Sequence, residues 1–133
     1  MTNTQIIEGL YDAFARGDVA AVLGAFADDI EWHEAEGSPY GGRYVGGEAI
    51  LGNVLGPVMT DIPNFAATPE RFIADRETVA VIARYTGTGS ATGRRLDLPV
   101  AHVWTVADGK VVRFEQFVDT VRFREAVGTP ANA

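Results

Sequence analysis

Three polar side chains interrupt apolar runs in this sequence: Glu34 beside Ile30 and Trp32, His102 between Val100 and Trp104, and Gln116 between Phe114 and Val118. Each run has the period of two of a β-strand, so each polar residue shares a face with its apolar neighbours. Burying such a group without a partner costs on the order of 1–3 kcal/mol or more. An ordinary hydrogen bond, or a strand end in water, accounts for any one of them. Three together, on strands able to face one cavity, point equally to a ligand site. There Glu34 is the candidate general base, because desolvation raises a carboxylate pKa towards neutrality. His102 is the candidate donor to a carbonyl or enolate oxygen, or a proton shuttle. Gln116 orients rather than reacts. Trp32, Trp104 and Phe114 are candidate walls, Tyr11 and Tyr44 candidate substrate contacts, and Tyr85 a further source of a hydroxyl.

Other chemistries find less support. His33 falls on the face opposite Trp32 and Glu34, and the two histidines lack zinc-ligand spacing, so no metal is expected. Gly41-Gly42 and Gly46-Gly47 lack the strand–loop–helix setting of a phosphate-binding loop. Ser38 and Ser90 sit in glycine-rich loops with no adjacent base. The absence of cysteine excludes disulfides, thiolate metal sites and cysteine catalysis. No cofactor is implied. Asp119 reads as a helix cap, and Arg94-Arg95 as a solvated turn.

The elements that must position these residues follow from spacing. Thr2 and Gln5 have the separation of a capping box, followed by an apolar stripe of Ile7, Leu10, Tyr11 and Phe14. Gly17 stops that helix and Asp18 caps a second, with the stripe Val19, Val22, Leu23 and Phe26. From Ile30 the period becomes two. Glu36 to Gly47 carries five glycines and a proline and reads as a loop. A short helix is expected from about Glu48 to Leu55, ending at Gly56-Pro57. Phe65 to Ala74 and Thr78 to Thr88 read as paired strands turning near Asp75-Arg76-Glu77. Leu96, Leu98, Val100, His102, Trp104 and Val106 form one face of a long strand. Asp108-Gly109 then makes a tight hairpin into Lys110 to Val118, with Val112, Phe114, Gln116 and Val118 on one face. A short helix capped by Asp119 or Thr120 runs through Glu125, and the tail from Gly128 reads as irregular. Helices first and an antiparallel meander afterwards indicate α+β, with helices covering the concave face of a twisted sheet around a cavity.

The bulk numbers bound the rest. At 133 residues and 47% hydrophobic content, the chain fits one domain over residues 1–133, with an ordered core from about 3 to 126. A net charge of −7 disfavours nucleic acid and anionic membrane surfaces as partners. No stretch approaches the roughly 20 apolar residues of a spanning helix. MTNTQIIEG lacks the form of a secretory signal, so the expectation is a soluble cytoplasmic protein.

The run Tyr11-Asp-Ala-Phe-Ala-Arg-Gly-Asp, then AFADDIEWHE, YGGRYVGGEAI and ATGRRLDLPVAHVWTVADGKVVRFEQFVDT, resembles the SnoaL-like proteins of the NTF2-like superfamily from about residue 4 to 125. The resemblance implies a cone-shaped, curved antiparallel sheet closed by N-terminal helices over an apolar pocket. It also implies a homodimer packed through the sheet. Its members include isomerases, polyketide cyclases, epoxide hydrolases, dehydratases and plain binding modules, so function must come from the site. In ketosteroid isomerases the general-base aspartate falls at the position of Glu34, and a protonated aspartate that bonds the substrate oxygen falls at His102. SnoaL-type cyclases are similar in placing a catalytic aspartate on that strand. The isomerase tyrosine falls at Leu10, one residue from Tyr11, and the Asp-Arg-Asp set of limonene-epoxide-hydrolase chemistry has no counterpart on the inward faces.

Two classes of function fit these residues. One is a cofactor-free isomerase or cyclase-type enzyme in which Glu34 removes a proton next to the carbonyl of a small apolar molecule and His102 stabilises the enolate. The other is a non-catalytic small-molecule-binding or dimerisation module. A protein-interaction domain is the least supported, since the hydrophobic residues fit core positions.

Overall fold

The computed structural model describes residues 1–128; part of the tail expected to be irregular, 129–133, lies outside the described residues. Helix α1 (Asn3–Ala15) begins with the capping box: the Gln5 amide donates to Thr2 Oγ1 at 3.1 Å and the Thr2 amide to Gln5 Oε1 at 2.9 Å. Its face of Ile7, Leu10, Tyr11 and Ala13 is buried. Gly17, at a φ of 70°, ends it, and Asp18 caps α2 (Val19–Gly24) by accepting from the Ala21 amide at 3.0 Å.

Six strands follow: β1 (Phe26–Glu34), β2 (Gly42–Val45), β3 (Ala66–Asp75), β4 (Thr78–Thr88), β5 (Arg95–Ala107) and β6 (Lys110–Val118). They form one sheet in the order β2-β1-β6-β5-β4-β3. Every neighbouring pair is antiparallel except β1 and β6, which run parallel one strand in from the β2 edge. Helix α1 packs against β3 and β4, and α5 (Thr120–Val127) against β5, so the sheet's inner face is closed by helices.

Four local expectations change. Phe26 opens β1 rather than completing the second helix, because it pairs with Val111 of β6 and the Val111 amide donates to the Ala25 carbonyl at 2.9 Å. The glycine-rich stretch read as a loop contains β2, which lies along β1 from Glu31–Val45 to Glu34–Gly42. The helix expected to stop at Gly56-Pro57 continues instead. It runs as α3 (Gly47–Ile50), a π-turn (Leu51–Leu55) and α4 (Gly56–Asp61). In that turn the Gly56 amide reaches the Leu51 carbonyl five residues back, and the wider loop makes room for the proline ring that an α-helix would reject. Finally, the β5–β6 register shifts between Thr105 and Val106, which turns Val111, not Val112, into the core.

Two glycines let the shell close on the sheet. A Cβ at Gly87 would lie 2.4 Å from Ile62 Cγ2, and one at Gly89 would lie 1.8 Å from the Ala126 carbonyl oxygen. Both are positions where helical backbone or its cap meets the sheet too closely for a side chain.

Candidate functional site

Alternation along β5 buries Leu96, Leu98, Val100, His102, Trp104 and Val106 together, as the spacing requires. Register then lines up the polar residues. His102 faces Gln116 across β5–β6, and Trp104 faces Phe114, which pairs with Trp32 on β1. Because β1 and β6 are parallel, stepping two residues from Trp32 and from Phe114 brings Glu34 level with Gln116. Glu34, Gln116 and His102 therefore form one row on the inner face. With about 4.8 Å between strands, Glu34 and His102 stand roughly 10 Å apart along it.

The row borders a cavity of about 70 Å³ between sheet and helices. Trp32, Trp104 and Phe114 form its inner wall; the ring centroids of Trp32 and Phe114 are 3.8 Å apart. Tyr11 comes from α1, and Val54, Leu55 and Val58 from the π-turn and α4. Of the residues singled out by sequence, Glu34, His102, Tyr11, Trp32, Trp104, Phe114 and Gln116 all border this space. Tyr44 does not: it sits on edge strand β2, and its hydroxyl donates to the Tyr40 carbonyl at 2.9 Å. Its register partner is Trp32, so it shares the inner side of the sheet, but on the edge strand it stands beyond the cavity lining, which the loop reading of this segment concealed.

Glu34 is only 4% exposed. The Trp32 indole Nε1 donates to its Oε1 at 2.8 Å. Burial pushes the carboxyl up to about 7, against the opposing pull of the Trp32 and Gln116 donors. Gln116 is held by both ends: its Oε1 accepts from the Ala35 amide at 3.1 Å, and its Nε2 donates to the Tyr85 hydroxyl oxygen at 2.9 Å.

His102 does not open onto the cavity through a bare nitrogen. Its Nδ1 is 2.5 Å from the Tyr11 hydroxyl and its Nε2 is 2.7 Å from the Tyr85 hydroxyl. The Trp104 indole donates to the Tyr11 oxygen at 3.0 Å. Burial lowers the imidazole to about 3, so the ring is neutral. Both tyrosine hydroxyls are pushed upwards by burial and stay protonated. Tyr85 was legible only as one hydroxyl among three; the inward alternation Val79, Val81, Ala83, Tyr85 along β4 is the signal that marks it. Among the described residues no group of three or more His, Asp or Glu side chains is placed to hold a metal. No described helix is long and apolar enough to cross a membrane.

The sequence profile described as SnoaL-like domain matches residues 7–114. An NTF2-like protein from Burkholderia thailandensis is similar at 35% identity, with 97% of this chain and 99% of that one covered and a TM-score of 0.91. An NTF2-like protein from Burkholderia pseudomallei matches at 32% identity over 97% of this chain and 100% of its own, with a TM-score of 0.87. TerC, crystallised with polyporic acid, matches at 30% identity over 96% of this chain and 98% of its own, with a TM-score of 0.85. No functionally curated protein matches the chain.

Proposed function

The chain belongs to the SnoaL-like domain family, and we propose that its cavity binds a small apolar carbonyl compound and uses Glu34 to remove a proton from the carbon beside the carbonyl. The observation that carries this reading is Glu34 itself: a carboxyl buried in an aromatic-walled cavity, with its pKa raised to about 7. A base is most useful when its pKa lies near the working pH, and general-base catalysis of this kind contributes typically 10²–10⁴-fold. As the proton moves to Glu34, the C–H electron pair forms the enolate and charge grows on the oxygen. Tyr11 and Tyr85 border the same space, and a hydroxyl donor there stabilises that oxygen. His102 acts through the two tyrosines rather than on the substrate. The co-crystallisation of TerC with polyporic acid supports a small-molecule occupant.

The test is deuterium exchange in heavy water at the carbon next to the carbonyl of 2-tetralone, followed by mass spectrometry. We expect the protein to accelerate exchange, and Glu34→Gln to lose at least 100-fold of that acceleration while still binding the ketone. Binding without any acceleration supports the second reading, a non-catalytic binding module. The full engagement of both His102 nitrogens is the observation that favours it.

The assembly we propose is a homodimer through the outer sheet face. There Ile82, Ala101 and Phe117 are register neighbours across three strands, and Phe117 is 55% exposed.

A further inference from the structure

The Tyr11–His102–Tyr85 chain carries one more proton than its two links consume. Each tyrosine oxygen already accepts one hydrogen bond from a donor that cannot reverse. At Tyr11 the donor is the Trp104 indole, which has no acceptor. At Tyr85 it is the Gln116 amide nitrogen, whose orientation is fixed because the other end of the amide accepts from Ala35. Between the tyrosines lies a neutral imidazole with one protonated and one bare nitrogen. Its N–H donates to one tyrosine oxygen, and its bare nitrogen accepts from the other tyrosine. The two links therefore consume one ring proton and one hydroxyl proton. One tyrosine O–H is left over, and among the described residues no protein group accepts it.

We propose that this leftover hydroxyl proton is the ligand's polar anchor, and that His102 decides which tyrosine offers it. With Nε2 protonated, Tyr11 donates to Nδ1 and the Tyr85 proton is free. With Nδ1 protonated, Tyr85 donates to Nε2 and the Tyr11 proton is free. The site thus presents one donor at either of two places, and a ligand chooses the place by fixing the tautomer. Its chemical class follows: an apolar body with an acceptor oxygen that brings no proton of its own, as in a ketone, quinone or enolate. A buried donor left without a partner costs about 1–3 kcal/mol, which such an oxygen removes. The inference rests on the carbonyl-ligand reading above but not on proton removal by Glu34.

Benzophenone tests it, because it has a carbonyl but no neighbouring hydrogen to remove; diphenylmethane has a similar shape without the oxygen. The ring-nitrogen resonances of nitrogen-15-labelled His102 report the tautomer, and the infrared carbonyl stretch reports the hydrogen bond. In the wild type, benzophenone should drive His102 to a single tautomer and lower the carbonyl stretch, and diphenylmethane should do neither. With benzophenone bound, Tyr85→Phe should hold His102 protonated on Nδ1, and Tyr11→Phe should hold it protonated on Nε2. Each variant removes only a hydroxyl, and the wild-type carbonyl stretch decides the matter if either is unstable. The same tautomer in both variants, an unshifted carbonyl stretch, an equal response to diphenylmethane, or no binding of benzophenone overturns the proposal. Glu34→Gln should leave all these signals unchanged, so loss of the exchange activity and loss of the tautomer response are separable results.

Discussion

Trp32 and Glu34 stand two residues apart on the inner face of β1, and the indole of the first donates to the carboxylate of the second at 2.8 Å. The contact is local, yet it opposes the largest influence on Glu34, the loss of water around its charge. Trp32→Phe keeps an aromatic wall but removes the donor. A hydrogen bond to a charged group contributes about 1.5–3 kcal/mol, so the Glu34 pKa should rise about one unit or more above its present value near 7. Carbon-13 titration of the carboxyl checks this; an unchanged pKa would show that the indole bond has no hold on the charge.

If Glu34 is the base, its ionised form does the work. The exchange rate of 2-tetralone should rise with pH and level off above an apparent pKa near 7. In Glu34→Gln that limb should vanish rather than move. A limb that persists in the variant assigns the base elsewhere.

Stability should depend on pH through two buried groups of opposite sign. The Glu34 pKa is raised from 4.5 to about 7, so in that window the folded chain holds a proton the unfolded chain has lost. Stability from this group falls as pH rises, by about 3 kcal/mol across the window. The His102 pKa is lowered from 6.5 to about 3, so below 6.5 the unfolded chain takes up the proton first. Stability from His102 rises with pH and is complete above 6.5. Between pH 4.5 and 6.5 the two slopes cancel. Urea unfolding should find the wild type nearly flat there and falling from 6.5 to 7, while Glu34→Gln climbs to 6.5 and stays level. Superimposable curves would remove Glu34 from the account.

Gly89→Ala should destabilise the chain by about 2 kcal/mol or more, since its Cβ would sit 1.8 Å from the Ala126 carbonyl oxygen. Helix α5 has to move away, which loosens Phe123 against the sheet and lowers Tm. Thermal melting measures the loss, and a melting temperature equal to wild type would contradict the close approach.

Phe117→Glu should convert a homodimer to a monomer, because it places a carboxylate in the middle of the apolar outer row. Light scattering across a dilution series reads the result. A wild type that is already monomeric, or a variant that still dimerises, rejects the outer face as the interface.

The helices and most of the strands are written locally. Thr2 and Gln5 cap α1 through each other, and Asp18 caps α2 through its own first turn. The inner face of β5 is a period of two in plain sequence, and it carries His102 and Trp104 inward together. Tyr44 and β2 were illegible for a definite reason. Glycines make that stretch a poor strand by propensity, and only the exposed edge of β1 supplies its hydrogen-bond partners. The π-turn before Pro57 was likewise hidden, since a proline usually marks the end of a helix and does so here only if the turn cannot widen.

Which residues face inward could be read from the chain alone, because side-chain direction follows from the alternation of a strand or the turn of a helix. The sequence placed Glu34, His102 and Gln116 on apolar faces and put Tyr11 on the apolar stripe of its helix. It did not determine what each would meet. Tyr11 lies 91 residues before His102 and Tyr85 lies 17 before it, and both reach the same imidazole only once α1 closes over β3 and β4. A hydrogen-bond partner is a matter of distance in space, and the parallel pairing of β1 with β6 and the closing of the helices set that distance. Tertiary structure thereby turned His102 from a candidate donor into the neutral link between two tyrosines, and left Glu34 as a buried carboxyl with its pKa raised to about 7.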